Sequence, residues 1–168
     1  MSTPILRPVT DADLPALLEI NTAAAPAVNL IPAEELAELV ADSALALTVD
    51  ADGPAGLLIA LPPGLDYASE NYAWFSARAA AGGTDFLYVD RIVVAERLRG
   101  TGIGRRLYEA VFAAAAEQGR AEVLCEVNVQ PPNPGSMRFH LGLGFVEVGR
   151  QATKDGTVEV ALLARPVR

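Results

Sequence analysis

The stretch ERLRGTGIGRRL, residues 96 to 107, constrains the fold more than any other part of the 168-residue chain. It follows DFLYVDRIVV, a β-branched and aromatic run with the composition of a buried central strand ending near Val94. It leads into Ile103, Leu107, Val111 and Ala114, spaced as one face of a helix that runs to about Gln118, with Gly119 at the C-terminal stop. Another strand, Ala121 to Val127, follows at once. Strand, turn, helix and strand in this order form a βαβ unit, whose right-handed crossover sets its two strands parallel in one sheet.

The rest of the chain extends that sheet. Residues 4 to 9 read as a short strand, and Thr10 with Asp13 forms a capping pattern before a helix from about Asp11 to Thr22. Pro32 opens a second helix, with Glu34 and Glu35 in its first turn and Leu36, Leu39 and Val40 on one side. Residues 44 to 61 are two apolar runs joined by Asp-Ala-Asp-Gly-Pro, a β-hairpin. Residues 62 to 83 show no strong period and read as a lid or specificity segment, helical in part. Pro131, Pro132 and Pro134 start a short helix, and strands Phe145 to Gln151 and Val158 to Ala164 flank Lys-Asp-Gly. The expectation is an α/β fold with a mixed central sheet of about six to seven strands flanked by helices, in one domain spanning residues 1–168.

Composition narrows the function. A net charge of -8 disfavours nucleic acid and anionic lipid as partners. No run approaches the length of apolar sequence that a membrane span requires, and the first residues lack a secretory pattern, so a cytoplasmic location is expected. With one histidine and one cysteine, no metal cluster or nucleophilic triad is expected, and Cys125, in an apolar strand, reads as a buried structural thiol. Against the acidic average, Arg91, Arg97, Arg99, Arg105 and Arg106 crowd around the glycine turn, which suggests an anionic ligand there.

Gly100, Gly102 and Gly104 stand between strand and helix, where backbone N–H groups can approach an anion and the helix N-terminus adds partial positive charge. The spacing is not GxGxxG, because the sixth position from Gly100 is Arg105 and from Gly102 is Leu107, and no Gly-Lys-Ser/Thr follows as a P-loop requires. Arg99-Gly100-Thr101-Gly102-Ile103-Gly104 instead resembles the Arg/Gln-x-x-Gly-x-Gly/Ala signature of the GNAT N-acetyltransferase superfamily. Asn133-x-x-Ser136-x-x-Phe139-His140, followed by Gly144-Phe145, resembles the second motif of that family, and the order of elements agrees along nearly the whole chain.

The resemblance implies a GNAT-like fold with splayed central strands and acetyl-CoA as acyl donor. Residues Arg99, Gly100, Thr101, Gly102, Ile103, Gly104 and Arg105 would hold its pyrophosphate, the Val94 backbone its pantetheine arm, and Asn133 and Ser136 would meet the cofactor from the second motif. The reaction implied is direct acetyl transfer to a primary amine, of a small molecule or a peptide, within a ternary complex. His140 stands where many members carry a tyrosine that protonates the departing thiolate. Imidazole titrates near ~6.5 and phenol near ~10, so His140 fits either as that acid or as a helix-end residue bonded to a backbone carbonyl.

Deprotonating the amine calls for a base, and Asp85, Asp90 and Glu126 lie on or beside the two strands of the βαβ unit. Asp90 is the best placed, on the same side of the pleat as Ile92 and Val94, with a salt bridge to a nearby arginine as its structural alternative. Tyr72, Trp74, Phe75 and Tyr88 form either an acceptor wall or core. A catalytically degenerate acyl-CoA sensor and a transferase of another acyl group are the competing readings; the terminal strands could supply an edge for a homodimer, but the sequence does not set the oligomeric state.

Overall fold

The computed structural model describes residues 2–167. Its strands are β1 (Ile5–Pro8), β2 (Leu45–Asp50), β3 (Pro54–Leu61), β4 (Phe86–Val94), β5 (Glu122–Gln130), β6 (Val146–Thr153) and β7 (Val158–Pro166). The helices are α1 (Leu14–Ala23), α2 (Ala33–Asp42), α3 (Glu70–Gly82), α4 (Ile103–Glu117) and α5 (Pro134–Gly142). The strands form one mixed sheet in the order β1-β2-β3-β4-β5-β7-β6. The βαβ expectation holds: β4 and β5 are parallel, with Phe86, Leu87 and Tyr88 opposite Glu122, Val123 and Leu124. By contact density the chain forms two compact units, Met1–Pro62 with Val89–Val111, and Pro63–Tyr88 with Phe112–Arg168.

In the first unit the hairpin forms as its turn chemistry requires, with β2 and β3 antiparallel and Asp52 and Gly53 at positive φ between them. Leu57 to Leu61 are all fully buried, which explains why β3 reads as a continuous apolar run instead of an alternation. Thr10 and Asp13 are joined as the capping pattern predicts: the Asp13 carboxylate accepts from the Thr10 N–H at 2.8 Å and from its hydroxyl at 3.0 Å. Arg7 on β1 grips both Asp13 oxygens, at 2.8 and 2.9 Å, and reaches Asp50 at the end of β2 at 3.0 Å. That fork holds the Asp13 carboxyl well below the usual carboxylate range and tethers the start of α1 to the sheet edge.

The second unit gives bounds to the partial helix that the sequence reading left open. Within the segment expected to be a lid or specificity element, residues 70 to 82 form a regular helix, α3, capped by the Ser69 hydroxyl, which accepts from the Tyr72 N–H at 3.2 Å. Tyr72, Phe75 and Ala79 are buried at helical spacing. Exposed alanines at 73, 77 and 80 blur that period in the sequence, because an apolar scale scores them like core. Trp74 lies against β6 at Gly149, where a Cβ would collide with the indole. Strand β5 runs three residues past its expected end, since Asn128 and Gln130 pair with Val160 and Glu159 of β7. Cys125 is buried, as expected.

Candidate active site

The glycine turn connects the end of β4 to α4. Gly100 and Gly102 adopt φ of 75° and 86°, values that L side chains rarely take, and a Cβ built on either would meet no atom within 4 Å. The backbone there faces open space, the geometry an approaching phosphate needs. Helix α4 begins immediately, with the Arg106 N–H bonded to the Gly102 carbonyl at 3.1 Å. The preceding N–H groups stand in the first turn, where a helix offers them no internal acceptor. Thr101 is bound through its hydroxyl to the Leu98 carbonyl at 2.5 Å, which closes the turn. Ile103 is buried and anchors the helix, while Gly104 is half-buried beside it.

The five arginines separate into two groups. Arg99, Arg105 and Arg106 are exposed on or next to the turn, with Arg99 donating to the Val94 carbonyl at 3.2 Å and Arg106 to that of Pro4 at 3.1 Å. Arg97 donates to the Ala51 carbonyl at 2.8 Å. Arg91 does not belong to a ligand site, contrary to its inclusion in the sequence cluster. Its side chain is 5% exposed and pairs with Asp90 at 3.0 Å and with the Asn21 side chain at 2.8 Å. Both Arg91 and Asn21 also bind the Asn29 carbonyl, at 3.3 and 3.0 Å. The Asp90 carboxylate therefore holds a buried guanidinium, the structural alternative foreseen for it.

The second motif lies on α5 in the other unit. Asn133 caps the helix, its side-chain oxygen accepting from the Ser136 N–H at 3.3 Å. Ser136 in turn meets His140: its carbonyl lies 2.7 Å and its hydroxyl 3.3 Å from Nδ1. Spacings of three and four residues bring Asn133, Ser136 and His140 onto one helix face. A carbonyl only accepts, so Nδ1 carries the proton, and the neutral ring keeps its lone pair on Nε2. Phe139 and Phe145 close around the imidazole at ring distances of 5.2 and 5.6 Å. Burial lowers the pKa of His140 from its ordinary 6.5, against the opposing pull of the Ser136 carbonyl.

The remaining carboxylate candidates sit in this second unit. Asp85, immediately before β4, is bound by Arg120 at 2.9 and 3.1 Å and accepts from the Phe86 N–H. Glu126 is on β5, two residues past the Leu124 that faces Tyr88, so both side chains emerge on one face of the sheet. The Tyr88 hydroxyl lies 2.8 Å from each Glu126 oxygen and donates to the carboxylate. Tyr88 is fully buried against Tyr72 and Phe75, so two of the four aromatic wall candidates, Tyr72 and Phe75, are core contacts of a third.

A sequence model of the acetyltransferase (GNAT) family matches residues 19–145, from α1 through the glycine turn to the end of the second motif. The chain belongs to the GNAT acetyltransferase family. No curated protein sequence matches it. Among solved structures, this GNAT chain is similar to the ribosomal-protein-S18-alanine N-acetyltransferase of Escherichia coli, with a TM-score of 0.74 and 18% identity over 98% of this chain and 94% of that one. NAA60 of Arabidopsis thaliana, solved with a bisubstrate analogue, gives a TM-score of 0.77 and 17% identity, covering 98% of both chains. The yncA protein of Salmonella typhimurium, solved with its cofactor acetyl-CoA, gives 0.72 and 18%, covering 99% of this chain and 95% of that one. At these identities the likeness is one of fold.

Two features of this GNAT acetyltransferase escaped sequence reasoning. The Tyr88 to Glu126 pair joins positions 38 residues apart, and its only sequence signal is the parallel register of the βαβ unit. The Arg91, Asn21 and Asn29 network spans 70 residues and leaves no periodic trace.

Proposed function

We propose that the chain, as one domain of residues 1–168, is an acetyl-CoA-dependent N-acetyltransferase that acts on a primary amine by direct attack in a ternary complex. The observation that carries this reading is the glycine turn: two left-handed glycines with open space at their Cα atoms, directly ahead of a 15-residue helix, in a chain of the GNAT family. Arg99 to Arg105 hold the pyrophosphate there by backbone N–H groups and exposed guanidinium groups, and the Val94 backbone and α5, through Asn133 and Ser136, hold other parts of the donor. The proteins of similar fold named above, one acting on a ribosomal protein's alanine and one solved with acetyl-CoA, support an amine acceptor and that donor.

In this mechanism the acceptor arrives as an ammonium and must lose a proton before its nitrogen has a lone pair to offer. Glu126 takes that proton, directly or through water. Asp90 is the less suitable base because its carboxylate already compensates the buried Arg91. The neutral nitrogen attacks the thioester carbonyl, whose oxygen gains negative charge and is stabilised by a backbone N–H near Val94. The nitrogen releases its second proton to solvent, the C–S bond breaks as the amide forms, and the CoA thiolate takes up a proton to leave as free thiol. His140 supplies that proton only from its minor, doubly protonated form, which burial disfavours against the opposing pull of the Ser136 carbonyl.

The test is an amine panel with acetyl-CoA, read by free thiol and by the mass of the product. Wild type releases thiol in step with acetylated amine, and Glu126→Gln loses on the order of 10²- to 10⁴-fold in kcat/KM while still binding CoA. CoA binding with no thiol release over a broad panel would instead identify a degenerate acyl-CoA sensor. Turnover with succinyl-CoA and none with acetyl-CoA would identify a different acyl donor.

A further inference from the structure

The Val94 carbonyl, at the strand end proposed to hold the pantetheine arm, already has a partner. Arg99 folds back over five residues and donates from Nε to that carbonyl at 3.2 Å. The backbone at both ends of this contact is fixed: the Ala95 N–H bonds to the Ala55 carbonyl at 2.9 Å, and the Arg99 N–H to the Glu96 carbonyl at 3.1 Å. The guanidinium is the movable part, because Arg99 is exposed whereas Val94 is half-buried. Arg99 also directly precedes Gly100, so its side chain stands between the two places proposed for the donor, the end of β4 and the glycine turn. All of these residues lie within one compact unit.

We propose that Arg99 is a specificity-determining residue for the acyl donor, and that it selects thioesters carrying a diphosphate over shorter pantetheine thioesters. The inference rests on the donor site proposed above, with Val94 at the pantetheine arm and the glycine turn at the pyrophosphate. An arm amide that donates to the Val94 carbonyl takes the place of the Arg99 Nε–H, and the guanidinium must leave. Its departure costs what the hydrogen bond contributed. A donor with a diphosphate offsets that cost, since its oxygens accept charge-assisted bonds from the freed guanidinium. A pantetheine thioester brings no anion to the turn, so the cost remains. Among the described residues Arg99 is the arginine that reaches this carbonyl; Arg105, exposed in the first turn of α4, adds charge without that contact.

The experiment titrates CoA and pantetheine into wild type, Arg99→Ala and Arg105→Ala, followed by nitrogen-15 NMR at the Ala95 amide, which shares a peptide bond with the Val94 carbonyl. Wild type binds CoA the more tightly. Arg99→Ala weakens CoA about three- to tenfold and tightens pantetheine about two- to fivefold, the second factor being that of one released hydrogen bond. Arg105→Ala weakens CoA and leaves pantetheine unchanged. A damaged fold would weaken both ligands, so the gain for pantetheine is the decisive sign. Pantetheine binding that is unchanged or weaker in Arg99→Ala, an equal gain in Arg105→Ala, or CoA affinity untouched by Arg99→Ala would each overturn the proposal. A wild type in which CoA does not bind overturns the donor site, and this inference with it. The readout is binding alone, so its failure is distinct from a failure of amine turnover, which counts against the transferase reading only.

Discussion

His140 is the residue whose role the structure changes most. The family resemblance implies a proton donor at this position, but its Nδ1–H is bound to the Ser136 carbonyl at 2.7 Å and the residue is 5% exposed between two phenylalanines. Burial lowers its folded pKa below the 6.5 of a free imidazole, so the unfolded chain binds a proton at a higher pH than the folded one. The stability that neutral His140 contributes is thus complete above the unfolded value and is lost as pH falls through the folded one. Between about pH 7 and pH 5 wild type should lose more melting temperature than His140→Gln, measured by calorimetry at constant ionic strength. Parallel losses in the two proteins would assign the acid sensitivity to another group. The position of His140 was legible in the sequence, and its protonation state was not, because that depends on which atoms enclose the ring.

At the scale of elements, the glycine turn is where sequence and structure agree most closely. Left-handed glycines and a helix start are local properties, set by neighbouring residues alone. Gly102→Val tests the turn: at a φ of 86° a β-branched residue is strained, and its side chain enters the space the backbone faces. Titration calorimetry should show CoA affinity reduced more than about tenfold, a factor worth roughly 1.4 kcal/mol. Gly82→Ala, a helical position whose nearest neighbour to a new Cβ is 3.9 Å away, should leave the affinity unchanged. Helix α3 is the opposite case. Its buried face is set by Tyr72, Phe75 and Ala79, but five of its thirteen residues are alanines, which fit either face, so the sequence pattern is weak and the packing decides. Trp74 and Gly149 show the same dependence, since neither residue explains the other until β6 is placed beside the helix.

At the scale of the whole molecule, the two units are interleaved along the chain, and both β4 and α4 pass from one to the other. Of the residues proposed for the donor, Val94 and residues 99 to 105 belong to the first unit, and Asn133 and Ser136 to the second. If residues 1–168 act as one domain, acetyl-CoA at about 100 times its Kd stabilises the fold by about 2.7 kcal/mol and raises Tm by roughly 5 to 10 °C. Trp74 fluorescence, which reports on the second unit, should shift by the same amount as far-UV circular dichroism, which reports on both. A shift confined to one probe would show that the units melt separately. By itself the sequence determined the βαβ unit, the glycine turn, the second motif and the order of elements along the chain, because strand and helix periods and glycine conformations are written in residues a few positions apart. Only the tertiary structure decided that Arg91 is a core ion pair, that Glu126 is held by Tyr88, that α3 is a packed helix and that His140 is a buried neutral ring. Each of those depends on burial and on partners brought close by folding, which local spacing does not encode.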